Sequence, residues 1–323
     1  MSLAPYVQIL ARGQGRARSM TYEEAHAAMT GMLAPDADRE AVGAILMLMR
    51  MKGETAEEIA GFATAVRTTL GDWPGAVPAL DWPTYAAGRT RGLPWFLLSA
   101  RLVADAGVPV LLHGWNSHQS NGASVREALP RLGIGMAGSV QGAADRIGAD
   151  GIAYLPLEHL SPGLMALLRL RDVLGLRSCV NTVCRMLNPA GASAAVQGVF
   201  HPPYRELQAD AARLMGLPRL TVLKGGGGEF EHHPAKDIAI FGLRDGQPWS
   251  GLTGRPVEAH QRLADAPAEP EALVEIWTGA RMDAFAEVIV LSTASLALET
   301  AGVADPERVA RDVWAARNRD LAA

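Results

Sequence analysis

The chain has 323 residues, of which 49% are hydrophobic, 20% charged and 6% aromatic, which excludes a disordered polymer and suggests two structural units. Its formal net charge is −4, from 30 Lys and Arg against 34 Asp and Glu, and taken whole that argues against a nucleic-acid binder. No run reaches the ~18–20 apolar residues of a membrane span, and Met1–Arg18 lacks the apolar core of an export leader. Two cysteines, Cys179 and Cys184, make no disulfide framework, so a cytoplasmic setting is expected.

The first 70 residues read as helices. Thr21-Tyr22-Glu23-Glu24 is a capping box. A second helix follows Pro35–Asp38, with Val42, Ile45, Leu46 and Met49 on one face. Gly53 stops it, and Thr55-x-x-Glu58 opens a third helix carrying Ile59, Phe62, Val66 and Leu70 along one side. Trp73–Pro83 is rich in Pro and Gly and reads as a hinge. Beyond it, short apolar runs alternate with helical stretches at 124–132, 163–175, 204–216, 271–280 and 283–301. The runs are Val108–Leu112, Ile152–Leu157, Ser178–Val183, Ala194–Phe200, Leu220–Leu223 and Ile238–Leu243. That alternation predicts an α/β fold: a small N-terminal helical domain over residues 1–72, and a larger α/β domain over 73–323. The central sheet of the latter is mainly parallel and covered by helices.

The charge is uneven along the chain. Residues 1–85 carry 7 basic and 10 acidic side chains, residues 186–323 carry 13 and 18, and the middle stretch 86–185 carries 10 and 6. Lys52, Lys224 and Lys236 are the lysines; the other 27 basic residues are arginines. The forked, permanent charge of arginine suits phosphate recognition, although genomic composition bias also yields Ala- and Arg-rich chains.

With both halves in view, the sequence resembles the anthranilate phosphoribosyltransferase superfamily, which includes the pyrimidine nucleoside phosphorylases. "RMKGETAEEIAG" resembles its helical domain, "VPVLLHG" its Lys-His-Gly-Asn turn, and "RLRDVLGLRSCVNTVCRMLNPA" its Arg-x-x-Leu-Gly segment. The resemblance covers about residues 20–300. It implies a helical domain, which makes a homodimer, set against an α/β domain, with the active site in the cleft between them.

Three motifs depart from the family pattern. The family's Gly-Thr-Gly-Gly-Asp phosphate loop is replaced by "AAGRTRG", which keeps Gly88 and Gly92 but places Arg89 and Arg91 in the turn. At the second motif His113 and Gly114 remain, Trp115 and Asn116 replace Asn and Arg, Leu112 replaces the lysine, and Ser120 retains a hydroxyl. At the metal-organising Asp-Glu pair, Glu231 matches the glutamate, Phe230 replaces the aspartate and Lys224 the histidine. Oxygen ligands for Mg²⁺ are thereby reduced, with Glu229 as the candidate substitute. Arg171 matches the family's retained substrate-site arginine.

This pattern resembles the YbiB-type branch, which keeps the fold without the catalytic motifs. The resemblance implies a homodimer that binds DNA or RNA through the phosphate backbone without sequence preference and without transferase activity. No cofactor is then expected. Arg89, Arg91, Arg171, Arg185, Lys224, Arg12 and Arg16 are the candidate phosphate contacts, and His113, Gly114, Trp115 and Ser120 the candidate cleft lining. Each has a plainer reading: surface arginines, a mobile glycine loop after Lys224, a structural histidine, core tryptophans at 95 and 115. Arg169 and Arg177 are read as partners of Asp172 or Glu158. The cysteines read as buried thiols along a strand and turn, and His232-His233 as surface residues. Two other readings stay open. One is a phosphoribosyltransferase using phosphoribosyl pyrophosphate, with Mg²⁺ near Glu229 and Glu231. The other is a scaffold whose helical domain recruits a protein.

Overall fold

Both capping boxes form. Thr21 accepts from the Glu24 amide while Glu24 accepts from the Thr21 amide, and Thr55 and Glu58 do the same. Each pair satisfies donors that a first helical turn leaves orphaned. The computed structural model describes residues 2–13, 15–86, 92–115, 124–258 and 269–320. Its N-terminal helices are α1 Ala4–Ala11, α2 Tyr22–Met32, α3 Arg39–Lys52 and α4 Ala56–Thr68. Val42, Ile45, Leu46 and Met49 are buried on α3, and Ile59, Phe62 and Val66 on α4. The second carboxylate oxygen of buried Glu58 accepts the Met20 amide at 2.9 Å, tying the chain before α2 to α4. Gly61 lets α2 and α4 touch, because a Cβ there would collide with the Tyr22 carbonyl.

Seven strands follow: β1 Leu80–Thr84, β2 Val110–Gly114, β3 Ile152–Pro156, β4 Ala194–Val199, β5 Arg219–Lys224, β6 Ala239–Arg244 and β7 Gln247–Leu252. They make one sheet in the order β3-β2-β1-β4-β5-β6-β7. The first five are parallel, and β6 joins β5, and β7 joins β6, by antiparallel pairing. Strands β1 to β4 are buried throughout, as expected for parallel strands covered on both faces.

The helices around the sheet are α5 Phe96–Asp105, α6 Val125–Arg131, α7 Val140–Asp150, α8 Leu157–Leu160, α9 Pro162–Arg169, α10 Arg171–Leu174 and α11 Val180–Arg185. After them come α12 Tyr204–Leu214, α13 Glu271–Thr278, α14 Ala284–Ala301 and α15 Pro306–Ala316. Alternate strand residues serve two cores. Leu111, Leu155 and Ala195 join a core that continues into α2–α4 and takes up Leu164, Leu168 and Val183 from α9 and α11. Val110, Leu112, Tyr154 and Val196 join a second core under α5, α13, α14 and α15.

Several local expectations are corrected. Ser178–Val183 is not a strand: Val180–Arg185 is helix α11, so the β-branched run yields to packing against α4 and α9. The hinge at Trp73–Pro83 contains most of β1. Its ladder to β4 stops at Asp81, while its ladder to β2 runs on to Thr84, so Pro83 lies where one flank has no ladder to lose. Helices α1, α7 and α15 and edge strand β7 are additional to the sequence reading. Helix α14 is long and apolar enough by length and composition to cross a membrane, contrary to expectation. It is half buried and packs on α5 and α15.

Candidate anion-binding cleft

Strand β1 is flanked by β2 on one side and β4 on the other, so the order of the parallel strands reverses there. The carboxyl ends of parallel strands at such a switch point form a natural ligand crevice. A cleft of about 500 Å³ opens there, between the helical bundle and the sheet. Arg50 and Glu54 reach it from the end of α3, Arg171 and Asp172 from α10, Arg177 and Ser178 from the following turn, and Arg185 from α11. Phe200 and His201 enter from the end of β4, and Tyr204 and Gln208 from α12.

Two of the arginines are held in place by chain carbonyls. Arg50 donates to the Arg177 carbonyl at 2.7 Å, and Arg185 donates to the carbonyls of Asn181 and Tyr85, both at 2.9 Å. Burial lowers the pKa of Arg177, and the neighbouring charges of Arg171 and Arg50 lower it further. Burial also lowers that of Arg185, against an opposing pull from Glu229. Arg171 Nη1 is buried with no hydrogen-bond partner among the described residues, and the nearest carboxylate oxygen, on Asp172, is 3.9 Å from its Nε. Of the two acids, Glu54 already accepts from the Tyr204 hydroxyl at 3.0 Å. Burial, with Glu54 nearby, pushes that phenol up to about 12. Four guanidiniums against two carboxylates give the cleft lining an excess of positive charge, of the kind that suits a multiply charged anion.

Of the arginines singled out in the sequence, Arg171 and Arg185 line this cleft together. Arg50 and Arg177 are additions. Arg50 lies within the helical-domain motif, and nothing local marks it as a cleft residue. Arg12 and Arg16 are exposed after α1 and do not line the cleft. Lys224 ends β5, exposed and outside the cleft lining. The glycines after it form no anion nest, because the amides of Gly225, Gly226 and Gly228 bond to chain carbonyls. Arg89, Arg91, Asn116 and Ser120 lie outside the described residues.

His113 is not a lining residue. It is fully buried, with Nε2 3.2 Å from Asp81 and Nδ1 2.9 Å from the Tyr85 hydroxyl. Gly114 is buried too, where a side chain would strike the Thr84 carbonyl. Trp95 lies in the core under α5, and Trp115 is half-buried against the other core. Glu158 pairs with Arg126 rather than with Arg169 or Arg177. The cysteines are buried free thiols. His232 is not at the surface: it is buried between the hydroxyls of Ser292 and Thr253, and His233 is half-buried against Phe285.

Beside the cleft, buried Glu229 accepts from the Thr84 hydroxyl at 2.8 Å and the Ala86 amide at 3.1 Å. Buried Glu231 accepts from the Phe96 amide at 3.0 Å, the first helical residue of α5, which has no side-chain cap of its own. Between them Phe230 packs edge-on against Trp82, with ring centroids 5.4 Å apart. These residues do not fit a resident Mg²⁺. Both carboxylates are engaged by backbone donors, Phe230 supplies no oxygen ligand, and the described residues hold no group of three metal-ligating side chains.

A two-domain chain with this sheet, and an anion cleft at its switch point, has the architecture of a glycosyl transferase. The chain belongs to that glycosyl transferase family: the helical bundle domain matches residues 4–69 and the a/b domain residues 96–313. Among its relatives, the anthranilate phosphoribosyltransferase of Haloarcula marismortui is 31% identical over 307 residues, covering 88% of each chain. That of Halobacterium salinarum is 30% identical over 269 residues, covering 83% of this chain and 77% of its own. Among solved structures, the anthranilate phosphoribosyltransferase of Thermus thermophilus superposes with a TM-score of 0.80 at 22% identity, covering 96% of this chain and 94% of its own. The Saccharomyces cerevisiae enzyme in complex with PRPP and Mg gives 0.75 at 16%, covering 96% and 92%.

These relatives overturn the expectation of a nucleic-acid-binding protein without transferase chemistry. The charge pattern that carried it has a different use in the fold. Arg101, Arg126, Arg131 and Arg146 are paired with Asp105, Glu158, Glu271 and Asp150. Arg171, Arg177 and Arg185 converge on one cleft instead of following an extended track.

Proposed function

We propose that the protein is a phosphoribosyltransferase that holds the phosphates of phosphoribosyl pyrophosphate, and an acidic acceptor of the anthranilate kind, in the arginine cleft. The observation that carries this reading is the convergence of Arg50, Arg171, Arg177 and Arg185 at the sheet's switch point. In such a transfer the acceptor forms a bond to the pentose C1 as the bond to pyrophosphate breaks, and the pyrophosphate leaves with the electron pair. Arg50 and Arg185, held by backbone carbonyls, stabilise that developing negative charge without reorganising. Arg171, with an unspent buried donor, binds an anionic group directly. A cytoplasmic setting accompanies this reading, since both thiols are free and buried.

The test is a coupled assay for pyrophosphate release from phosphoribosyl pyrophosphate, run with anthranilate and a panel of other aromatic acids. Acceptor-dependent release that Arg171→Ala reduces by about 10²-fold supports the reading. No release with any acceptor, together with no binding of phosphoribosyl pyrophosphate by calorimetry, would sink it.

A further inference from the structure

The segment Gly225–Glu231 is pressed onto the end of the sheet in a way that depends on missing side chains. A Cβ on Gly198 of β4 would collide with the Glu229 carbonyl and the Phe230 amide, and one on Gly225 with the Glu229 carbonyl. The Gly225 amide bonds to the Val199 carbonyl, and the Gly226 amide to that of Glu231. Gly227 and Gly228 take positive φ values of 64° and 96°, a turn that favours glycine. The effect is to deliver two carboxylates to donors 145 and 135 residues earlier in the chain, the Thr84 hydroxyl and the Phe96 amide.

Those donors are of the kind that phosphates take. The first amide of α5 carries the positive end of a helix dipole, and the Ala86 amide and Thr84 hydroxyl point from the end of a parallel strand. Here a carboxylate oxygen from within the chain already accepts from each of them. Arg185 connects this carboxylate site to the cleft: it bonds to the Tyr85 carbonyl, and Glu229 lies near enough to favour its charge. Phosphate arriving in the cleft thus meets arginine first.

We infer that Glu229 and Glu231 are specificity-determining internal anions, which occupy the donors of Thr84, Ala86 and Phe96 so that pyrophosphate is held by the arginines alone, without a divalent cation. The inference rests on the reading of the cleft as the place where phosphate is bound. It goes further in assigning the carboxylates to the chain's own backbone rather than to a metal. Guanidinium forks meet phosphate oxygens in bidentate pairs, so no bridging ion is needed to neutralise them.

Two measurements on the full-length protein decide it. Calorimetric titration with inorganic pyrophosphate is run in EDTA and again in excess Mg²⁺. The expected dissociation constant changes by less than about threefold between the two, and by less than about threefold in Glu231→Gln, while Arg171→Ala weakens binding more than about tenfold. Tightening of more than about tenfold by Mg²⁺, abolished by Glu231→Gln, would overturn the inference. The second measurement is amide hydrogen exchange of the ligand-free protein in EDTA. The Ala86 and Phe96 amides are expected to exchange slowly, and no more slowly once pyrophosphate and Mg²⁺ are added. Fast exchange that only pyrophosphate with Mg²⁺ slows would also overturn it. If pyrophosphate binds under neither condition, the functional reading of the cleft fails, and the exchange of the two amides still decides where the carboxylates are engaged.

Discussion

Arg185 donates to the Tyr85 carbonyl at 2.9 Å and thereby fastens the last turn of α11 to the end of β1. The contact joins the helical side of the cleft to the strand at the switch point. It uses one arm of the guanidinium fork, while the other holds the Asn181 carbonyl. Lysine keeps the charge but cannot make both contacts from one planar group. Arg185→Lys is expected to weaken pyrophosphate binding by about tenfold, or ~1.4 kcal/mol, with the helix content unchanged. Calorimetry beside circular dichroism checks it, and unaltered affinity would remove Arg185 from the cleft's working residues.

Gly198 tests the seating of the carboxylate segment. Gly198→Ala places a methyl group against the Glu229 carbonyl and Phe230 amide, where backbone must move, at a cost of about 1–3 kcal/mol. The contrasting change is Gly148→Ala on the exposed face of α7, which meets nothing within 4 Å and is expected to stabilise by about 0.5–1 kcal/mol. Denaturant unfolding of the two variants should therefore shift in opposite directions. A neutral Gly198→Ala would mean that the segment is not pressed on β4.

Glu58 and Glu24 close equivalent capping boxes but differ in burial. Glu58 also satisfies the buried Met20 amide, so Glu58→Ala leaves buried donors without acceptors and should cost about 2–4 kcal/mol. Glu24→Ala sits at the surface, where it pairs with Arg18, and should cost about 1 kcal/mol. Equal losses in equilibrium unfolding would contradict the role given to the Met20 contact.

His232 gives stability a pH dependence of known sign. Burial lowers its pKa to about 4 from the ordinary value of 6.5. Between those values the unfolded chain takes up a proton that the folded chain refuses. Its contribution is therefore complete above pH 6.5 and is lost as the pH falls toward about 4, amounting to about 3 kcal/mol. His232→Asn, lacking the titration, should show a flatter stability profile across this window than the wild type. Parallel profiles would place the acid sensitivity elsewhere.

Much of the scaffold is legible because its signals are local. Each capping box spans four residues, and the apolar spacing of Val42, Ile45, Leu46 and Met49 needs only helical geometry. Buried parallel strands such as Ile152–Pro156 announce themselves as short apolar runs. The run at Ser178–Val183 misleads for the same reason, since a β-branched stretch carries no information about the helices it packs against. His113 reads as a turn residue, but its burial beside Asp81 and Tyr85 depends on the pairing of β1 with β2.

By itself, then, the sequence determined where α2 and α4 start, which faces α3 and α4 bury, and that short apolar strands alternate with helices. Those properties follow from periodicity and capping over a few residues. The tertiary structure alone decided what the charged residues do. Arg50, Arg171, Arg177 and Arg185 come from separate elements and meet only in the fold, at a cleft beside the carboxyl end of β4. Glu229 and Glu231, which read as metal ligands when matched to a motif, accept from the Thr84 hydroxyl and from the Ala86 and Phe96 amides. A buried carboxylate must find donors, and which donors it finds is set by sheet topology and by the glycines that let the chain come close.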